Sequence, residues 1–388
     1  MARILVAYKQ FPAPGVGHAG GQSVYRLLEA LRARGHELVL VARIEDRERE
    51  QLDVVRPLCA RVYTAPHHCS LPGPRPLALL RSYLALRRTV LQALQETRPD
   101  VLHVEFAQTA FVLLGIEHPC TSFRAHDVNW FLMAQQAAVR QGWRRLRARL
   151  LEALFRCVEP RLYRRFHLIA AISEGDRRLL APACAPHPVL LLPLSPNLPP
   201  ESGGEVALRE GLNLLFVGAM GRTFNVQAVH WFLAQVWPEI VARVPEARFL
   251  VVGSNPPKEL EALHDGEQII VTGFVEDLAA WYRSAAVFVS PLLVAGGLLQ
   301  KVVDAMGMGV PVVATSVSNH GLGGRPGEHL LVADEPQDFA AAVIDLLNHP
   351  EARARIGSAG QHFVNTHYDA DRMLDHWEAA LHSLANAT

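Results

Sequence analysis

Short, continuous apolar runs alternate with amphipathic segments twice along the chain, and this alternation limits the fold more than any other feature. Ile4–Tyr8 and Leu38–Ala42 enclose an amphipathic segment at 23–34, which is the pattern of a βαβ unit. The alternation continues to Leu168–Ile172, stops in a proline-rich stretch, and restarts at Leu212–Gly218. Its later segments include predicted helices over 134–163 and 225–242 and an apolar run at Val287–Ser290. Strands separated by helices predict an α/β fold with two doubly wound parallel sheets.

The proline-rich stretch divides the 388 residues into two predicted Rossmann-like domains. We expect the first at residues 1–193, a linker at 194–211 and the second at 212–368. Residues 369–388 predict an amphipathic helix that packs back on the first domain. The linker would act as a hinge, and closure would bring His126 towards Lys301.

Composition excludes several classes of protein. The chain has 38 basic and 38 acidic residues, so it lacks the general positive charge that would favour nucleic acid as a partner. Five cysteines without a CxxC pair fit reduced thiols. The opening residues lack the apolar core of a secretory signal, and no 18-residue apolar stretch occurs. We therefore expect a cytoplasmic protein that is soluble or attached to the inner face of the membrane.

Three lysines, against 35 arginines, each follow a predicted strand: Lys9, Lys258 and Lys301. Parallel sheets bind ligands beyond the carboxyl ends of their strands, so this placement predicts an anionic ligand. Gly296 and Gly297 precede Lys301 and would let backbone N–H groups and a helix start approach a phosphate. Asp304, one turn further on, would bind ribose hydroxyls. The alternative is a glycine turn that begins a core helix.

Gly20 and Gly21 repeat this arrangement in the first domain. With Gly15 and Gly17, Gly20 also matches the dinucleotide fingerprint GxGxxG, which keeps an NAD-dependent oxidoreductase as an alternative. His126 follows a predicted strand at the same sheet edge, although a lone histidine is more often structural.

Two further clusters of residues each have a functional and a purely structural interpretation. Arg140–Arg165 predicts a basic amphipathic helix, either a solvated charged face or a contact with anionic lipid or a lipid-diphosphate acceptor. His67, His68 and Cys69 invite a metal site, but they lack a second ligand pair at zinc spacing, so we predict none.

The order and spacing of several motifs resemble the retaining GT-B glycosyltransferases of family 4, also called group 1. The resemblance runs nearly end to end and is most specific in the second half. The motifs are Gly20-Gly21, Arg34-Gly-His36, His103-Val-Glu-Phe106, His126-Asp127, Ser173-Glu-Gly-Asp176, Phe216-Val-Gly-Ala-Met220 with Asn225, Val251-Val-Gly253, Thr272-Gly-Phe-Val-Glu-Asp277, Lys301-Val-Val-Asp-Ala-Met306 and Gly309-Val-Pro-Val-Val-Ala-Thr315.

This resemblance implies a GT-B fold, a UDP- or GDP-sugar donor, and a glycan or lipid-linked acceptor, as in polysaccharide biosynthesis. It implies no bound metal and no cofactor. Catalytic roles are implied for His126, Lys301 and Arg222. Donor-binding roles are implied for Gly20, Gly21, Gly218, Phe274, Val275, Gly296, Gly297, Leu298 and Asp304. Gly20, Gly21 and His126 would face the transferred sugar and phosphates, Lys301 the diphosphate, Asp304 the ribose, and Phe274 and Val275 the base.

The chain departs from the family pattern at its acids and bases. Gly296 and Asp304 stand where the family has two glutamates eight residues apart, and Ala219 and Phe224 replace an Arg and a Lys. Arg222 would substitute for them. A catalytically degenerate protein that only binds nucleotide sugars is therefore the second interpretation, and the oxidoreductase is the third.

Overall fold

A computed structural model of the chain describes residues 1–14, 19–192 and 211–385. The chain divides into two compact units. The first comprises Met1–Trp130, Leu151–Pro193 and Ala370–Thr388, and the second comprises Phe131–Leu150 and Leu194–Asp369. Residues 131–150 belong to the second unit, a grouping that the sequence prediction did not contain. The predicted linker lies outside the described residues except for Gly211.

The first unit is built on one parallel sheet. Its strands are β1 (Arg3–Tyr8), β2 (Glu37–Ile44), β3 (Arg61–Pro66), β4 (Val101–Glu105), β5 (Thr121–Ala125), β6 (Leu168–Ala171) and β7 (Val189–Leu191). Their order is β3-β2-β1-β4-β5-β6-β7, and all neighbours are parallel. The winding direction reverses between β1 and β4, where a doubly wound sheet opens a crevice beyond its carboxyl ends.

Helices connect these strands along the chain. They are α1 (Ala19–Ala33), α2 (Leu52–Val55), α3 (Arg75–Thr97), α4 (Ala107–Val112), α5 (Asn129–Val139), α6 (Gly142–Tyr163) and α7 (Glu174–Cys184). Residues 131–150, in α5 and the first half of α6, nevertheless belong to the second unit. The sequence predicted a single helical stretch over residues 134–163, which is wrong. The helices α5 and α6 are separate, and Gly142 at the start of α6 has a φ of 56°, a value that glycine adopts without strain.

The second unit repeats the design with six strands. They are β8 (Asn213–Val217), β9 (Arg248–Val252), β10 (Ile269–Gly273), β11 (Val287–Ser290), β12 (Val312–Ala314) and β13 (Leu331–Val332). The order is β10-β9-β8-β11-β12-β13, again parallel throughout. The switch point of this sheet therefore lies between β8 and β11. Two doubly wound parallel sheets confirm the α/β fold class predicted from the apolar alternation.

The helices of the second unit are α8 (Thr223–Gln235), α9 (Trp237–Arg243), α10 (Lys258–Glu261), α11 (Leu278–Arg283), α12 (Gln300–Gly307), α13 (Ser316–Leu322), α14 (Pro336–Asn348) and α15 (Pro350–His367). The sequence predicted one helix over 225–242. The structure divides it at Val236, because Pro238 stands in the first turn of α9 and cannot donate a backbone hydrogen bond.

The last helix, α16 (Ala370–Ala385), belongs to the first unit. Trp377 is fully buried in its core, and its indole N–H donates to Oγ of Ser122 at 3.0 Å. Arg34 at the end of α1 forms an ion pair with Asp375 at 2.6 Å. No helix in the described part of the chain is long and apolar enough to cross a membrane.

Candidate functional site

Lys301 lies in the first turn of α12, the helix that follows β11, so it stands beyond the switch point of the second sheet. Its ammonium donates to Oδ1 of Asn225 at 2.8 Å and lies 4.2 Å from the centroid of the Phe216 ring. Burial and the positive charge of Arg222 lower the pKa of Lys301 to about 7. The contacts of this cation in the described part of the chain are thus neutral, and its charged neighbour is another cation.

Asn225 is fixed in the orientation that serves Lys301. It is buried in the first turn of α8, and its Nδ2 donates to the carbonyl of Ala219 at 2.9 Å, which leaves Oδ1 to accept from the ammonium. Gly218 makes room for this side chain, because a Cβ there would come within 2.8 Å of the Asn225 amide carbon. We call Gly218, Arg222, Asn225 and Lys301 the lysine site.

The glycine loop before α12, residues 295–299, is held by contacts with α13 and with Gln135. Gly297 has a φ of 62°, and a Cβ on Gly321 in α13 would overlap its carbonyl oxygen. The N–H of Ala295 donates to Oε1 of Gln135 at 2.8 Å, and both residues belong to the second unit. Gly296 is half-buried. This loop therefore holds a defined backbone path ahead of the first turn of α12.

The remaining predicted donor residues of this unit differ in exposure. Leu298 and Asp304 are buried, and the carboxylate of Asp304 accepts from Nε2 of Gln300 at 2.8 Å. Phe274 follows β10 with 77% of its surface exposed, and Val275 beside it is half-buried. A ring this exposed can stack on a ligand without rearrangement, whereas Leu298 contributes packing in the unliganded chain.

In the first unit, His126 belongs to a buried polar cluster. Its Nε2 lies 2.6 Å from Oε2 of Glu105, the last residue of β4. The other oxygen of this carboxylate contacts Nη2 of Arg124 at 2.9 Å and Nε2 of His103 at 3.0 Å. All four side chains are buried. One carboxylate therefore holds three nitrogen-bearing side chains in place.

The protonation states of this cluster follow from its contacts. Burial alone would raise the pKa of Glu105, but Arg124 and the hydrogen bonds from His103 and His126 outweigh it and hold this pKa well below its usual range. Burial lowers the pKa of His126 to about 4, against the attraction of Glu105. His126 is thus neutral at pH 7, donates from Nε2, and keeps Nδ1 as an acceptor.

Phe106 connects this cluster to the start of α1. Its ring stacks on the His126 imidazole, with centroids 3.7 Å apart and planes at 11°, and its φ of 69° is unusual for a bulky residue. Gly20 accommodates it, since a Cβ there would lie 2.6 Å from the ring edge. Gly21, the next residue of α1, is buried. We call Gly20, Glu105, Phe106, Arg124 and His126 the histidine site.

The cluster rejected as a metal site has mixed features. The donor atoms of His67, His68 and Cys69 lie within 4.8 Å of one another. Burial and then the charge of Arg43, with a smaller effect of Arg47, lower the pKa of His67 to about 4. The same positive charge would repel a metal cation, so the cluster remains without a proposed metal.

Sequence reasoning assigned no role to three residues that build these sites. Asn225, Glu105 and Phe106 occur in motifs that resemble the family, but the resemblance implies no role for any of them. A signal did exist for the last two, since a carboxylate and an aromatic ring directly end a buried strand at the ligand-binding edge of the sheet.

Two family models match the chain, one for each sheet. The model described as "Glycosyl transferase 4-like domain" matches residues 19–194, and the model described as "Glycosyl transferases group 1" matches residues 211–349.

Curated relatives match over part of their length. An uncharacterized 44.6 kDa protein in the cps region of Klebsiella pneumoniae is 28% identical over 170 residues, which are 42% of this chain and 44% of that protein. A phosphatidyl-myo-inositol mannosyltransferase of Mycolicibacterium smegmatis is 31% identical over 152 residues, 38% of this chain and 39% of that enzyme. The match thus spans less than half the length of these relatives.

Solved structures match over the whole chain at low identity. Sucrose-phosphate synthase from Thermosynechococcus elongatus superposes with a TM-score of 0.77 at 18% identity, covering 100% of both chains. HepE of Anabaena, in complex with UDP, superposes with a TM-score of 0.68 at 15% identity, covering 98% of this chain and 100% of that chain. These likenesses show the GT-B fold. With a matching family model on each of its two sheets, the chain belongs to the group 1, or family 4, glycosyltransferases.

Proposed function

We propose that the protein transfers a sugar from a nucleotide-sugar donor to a glycan or lipid-linked acceptor, with retention of the anomeric configuration, as a cytoplasmic step in polysaccharide biosynthesis. The observation that carries the proposal is the electrostatic state of Lys301. A half-buried ammonium with an amide partner and a positive neighbour is costly to maintain, and a bound anion would relieve that cost. Its position beyond the switch point of a doubly wound sheet suits a phosphate ligand.

The proposed reaction is a front-face substitution. The bond between the anomeric carbon and the β-phosphate oxygen breaks, the acceptor oxygen bonds to the same face of that carbon, and the departing phosphate takes the acceptor's proton. Lys301 and Arg222 would stabilise the negative charge that grows on the diphosphate, and the backbone around Gly297 would support it. Fixed donors and cations aimed at developing charge are an effective means of catalysis.

The donor proposal rests on the family and its neighbours. HepE of Anabaena has been solved with UDP and with UDP-glucose, which favours a UDP-sugar here, with a GDP-sugar as the alternative. Asp304 would bind the ribose, and Phe274 with Val275 would contact the base. The contact of His126 with the transferred sugar stays a prediction, as do the roles of Gly20 and Gly21.

Thermal denaturation in the presence of UDP-, GDP-, ADP- and TDP-sugars tests donor binding, because a ligand that binds only the folded state raises its stability. We expect one nucleotide series to stabilise the wild type and not Lys301→Met. Arg355→Met, which changes an exposed cation in α15, is the matched control. If no nucleotide sugar stabilises the protein, or if Lys301→Met responds like the wild type, the lysine site is not the donor site.

A binding protein without turnover is the second candidate, and the residue at 296 favours it. Glycine stands there in place of the family's first acid, and the remaining acid, Asp304, is buried against Gln300. Release of free nucleoside diphosphate, measured with the stabilising donor and membrane or glycan extracts, separates the two. Donor binding without release under all acceptors would identify the binder.

A further inference from the structure

The side of α6 that faces solvent is apolar. Trp143, Leu146, Leu150 and Leu154 are exposed over 67%, 63%, 64% and 53% of their surface. Their spacing of three or four residues places them on one side of a single continuous helix. Ala148, on the other side, is buried. An amphipathic helix normally buries its apolar side, so this one is built to be covered by something else.

Positive charge surrounds this apolar side. The segment 128–151 contains five arginines and no acidic residue. Four of them lie on the first turns of α6, and all four are exposed: Arg144, Arg145, Arg147 and Arg149. Leucines and a tryptophan among arginines match the boundary of an anionic bilayer, where acyl chains meet negatively charged headgroups and tryptophan is enriched.

The later turns of α6, which belong to the first unit, line an apolar groove. It has a volume of about 300 Å³ and is lined by Phe111 of α4, by Leu114 just after that helix, and by residues of α6 and its end: Cys157, Val158, Arg161, Leu162 and Arg165. Hydrocarbon and two cations again lie side by side. Apolar side chains and cations thus occur together along this second stretch of α6 as well.

We propose that Trp143, Leu146, Leu150 and Leu154, here called the α6 face, dock on an anionic lipid bilayer. The three leucines enter the acyl region, Trp143 lies at the bilayer boundary, and the flanking arginines contact lipid phosphates. A second copy of the chain fits poorly, since a two-fold contact through this face would bring the arginines of both copies together. The inference deepens the proposed function, on which it rests for one point: it places a glycosyltransferase beside a lipid-linked acceptor.

The test is sedimentation of the full chain with phosphatidylcholine vesicles, with and without phosphatidylglycerol. The apolar variant carries Leu146→Ser, Leu150→Ser and Leu154→Ser, and the charge variant replaces Arg144, Arg145, Arg147 and Arg149 with Gln. We expect each variant to lose on the order of 10²-fold in affinity for anionic vesicles. Wild-type binding should weaken steeply as salt rises.

The matched control changes two exposed leucines of α3, Leu80→Ser and Leu84→Ser, whose side chains are 56% and 45% exposed. This variant should bind vesicles like the wild type. A blue shift of tryptophan fluorescence on vesicle binding should disappear in Trp143→Phe, because that indole enters the bilayer boundary.

Three results would overturn the proposal: a wild type that ignores anionic vesicles, an apolar variant that binds them undiminished, or a wild-type dimer that the apolar variant converts to a monomer. The last would assign the α6 face to a second copy. Vesicle binding is measured without donor, so failure of the proposed glycosyl transfer leaves this result intact. Conversely, the apolar variant should keep the wild-type response to nucleotide sugars.

Discussion

Replacing Lys301 with methionine is expected to stabilise the unliganded protein while strongly weakening its affinity for the donor. The pKa of Lys301 falls from 10.5 to about 7 in the folded chain. The unfolded chain therefore binds this proton more tightly, and the contribution of Lys301 to the free energy of unfolding rises as pH increases from 7 to 10.5. At pH 7 and below, the full cost of the buried charge is present.

The size of this cost follows from the shift. At about 1.4 kcal/mol per pKa unit, the shift sets an upper limit of about 5 kcal/mol. Water screens part of it because Lys301 is only half-buried, and Asn225 loses a hydrogen bond worth about 1 kcal/mol in the variant. We expect Lys301→Met to raise the free energy of unfolding at pH 7 by roughly 1–3 kcal/mol.

Donor binding should show the complementary pH dependence. A diphosphate favours the charged ammonium, so binding raises the pKa of Lys301. The dissociation constant of a nucleotide sugar, whose diphosphate diester keeps a constant charge, should be flat below pH 7. Above pH 7 the dissociation constant should rise by up to about tenfold per pH unit, until the pH reaches the pKa that Lys301 has in the complex. Residual binding by Lys301→Met should not change over the same range.

Urea denaturation at several pH values and calorimetric titration between pH 6 and 9 measure both effects, with Arg355→Met as the control. Two results would refute the reasoning: a Lys301→Met protein that is less stable than the wild type at pH 7, or a wild-type affinity that is the same at pH 7 and pH 9.

Three other predictions concern stability. Because the pKa of His126 is lowered to about 4, the unfolded chain binds more protons than the folded chain between pH 6.5 and 4. Acidification over this range should therefore lower the free energy of unfolding by up to about 3 kcal/mol, a loss that His126→Gln should not show. Urea midpoints measured across the range test this. Gly253→Ala should destabilise by about 2 kcal/mol or more, since φ is 149° and a Cβ would overlap a backbone carbonyl, whereas Gly221→Ala, with open space to 3.8 Å, should be neutral in thermal melts. Trp377→Ala should cost about 3–5 kcal/mol as a fully buried side chain, against a near-neutral Trp143→Ala, by the same melts.

The sequence determined the class of fold, because strands buried in a parallel sheet consist of consecutive apolar residues. The predicted run Val287–Ser290 is the strand β11, and Ile4–Tyr8 differs from β1 by one residue. Three strands were not predicted: β3, β7 and β13. β3 lies at a sheet edge and is largely exposed, so it lacks a continuous apolar run. β7 has an apolar run but stands in the proline-rich stretch, and β13 has only two residues.

The sequence also located Lys301, because a residue that follows a strand by a short loop has its place set by local order along the chain. The partner of its ammonium was not local. Asn225 is 76 positions away, and it reaches Lys301 because β8 and β11 are neighbours in the sheet. A polar residue directly after a strand predicts a ligand-binding site, whereas the residue that forms its hydrogen bond depends on the order of the strands in the sheet.

Only the tertiary structure decided which sides of the helices and which polar groups are covered by the rest of the chain. Periodicity shows that Leu146, Leu150 and Leu154 share a side of one helix, but the same pattern would describe a core helix. In the folded chain that side faces solvent. The hydrogen bond from Trp377 to Ser122 joins residues 255 positions apart. The periodicity of side chains along a helix is a property of residues that are neighbours in the sequence, so the sequence alone predicts it. Burial depends on residues that are distant in the sequence, so only the tertiary structure shows it.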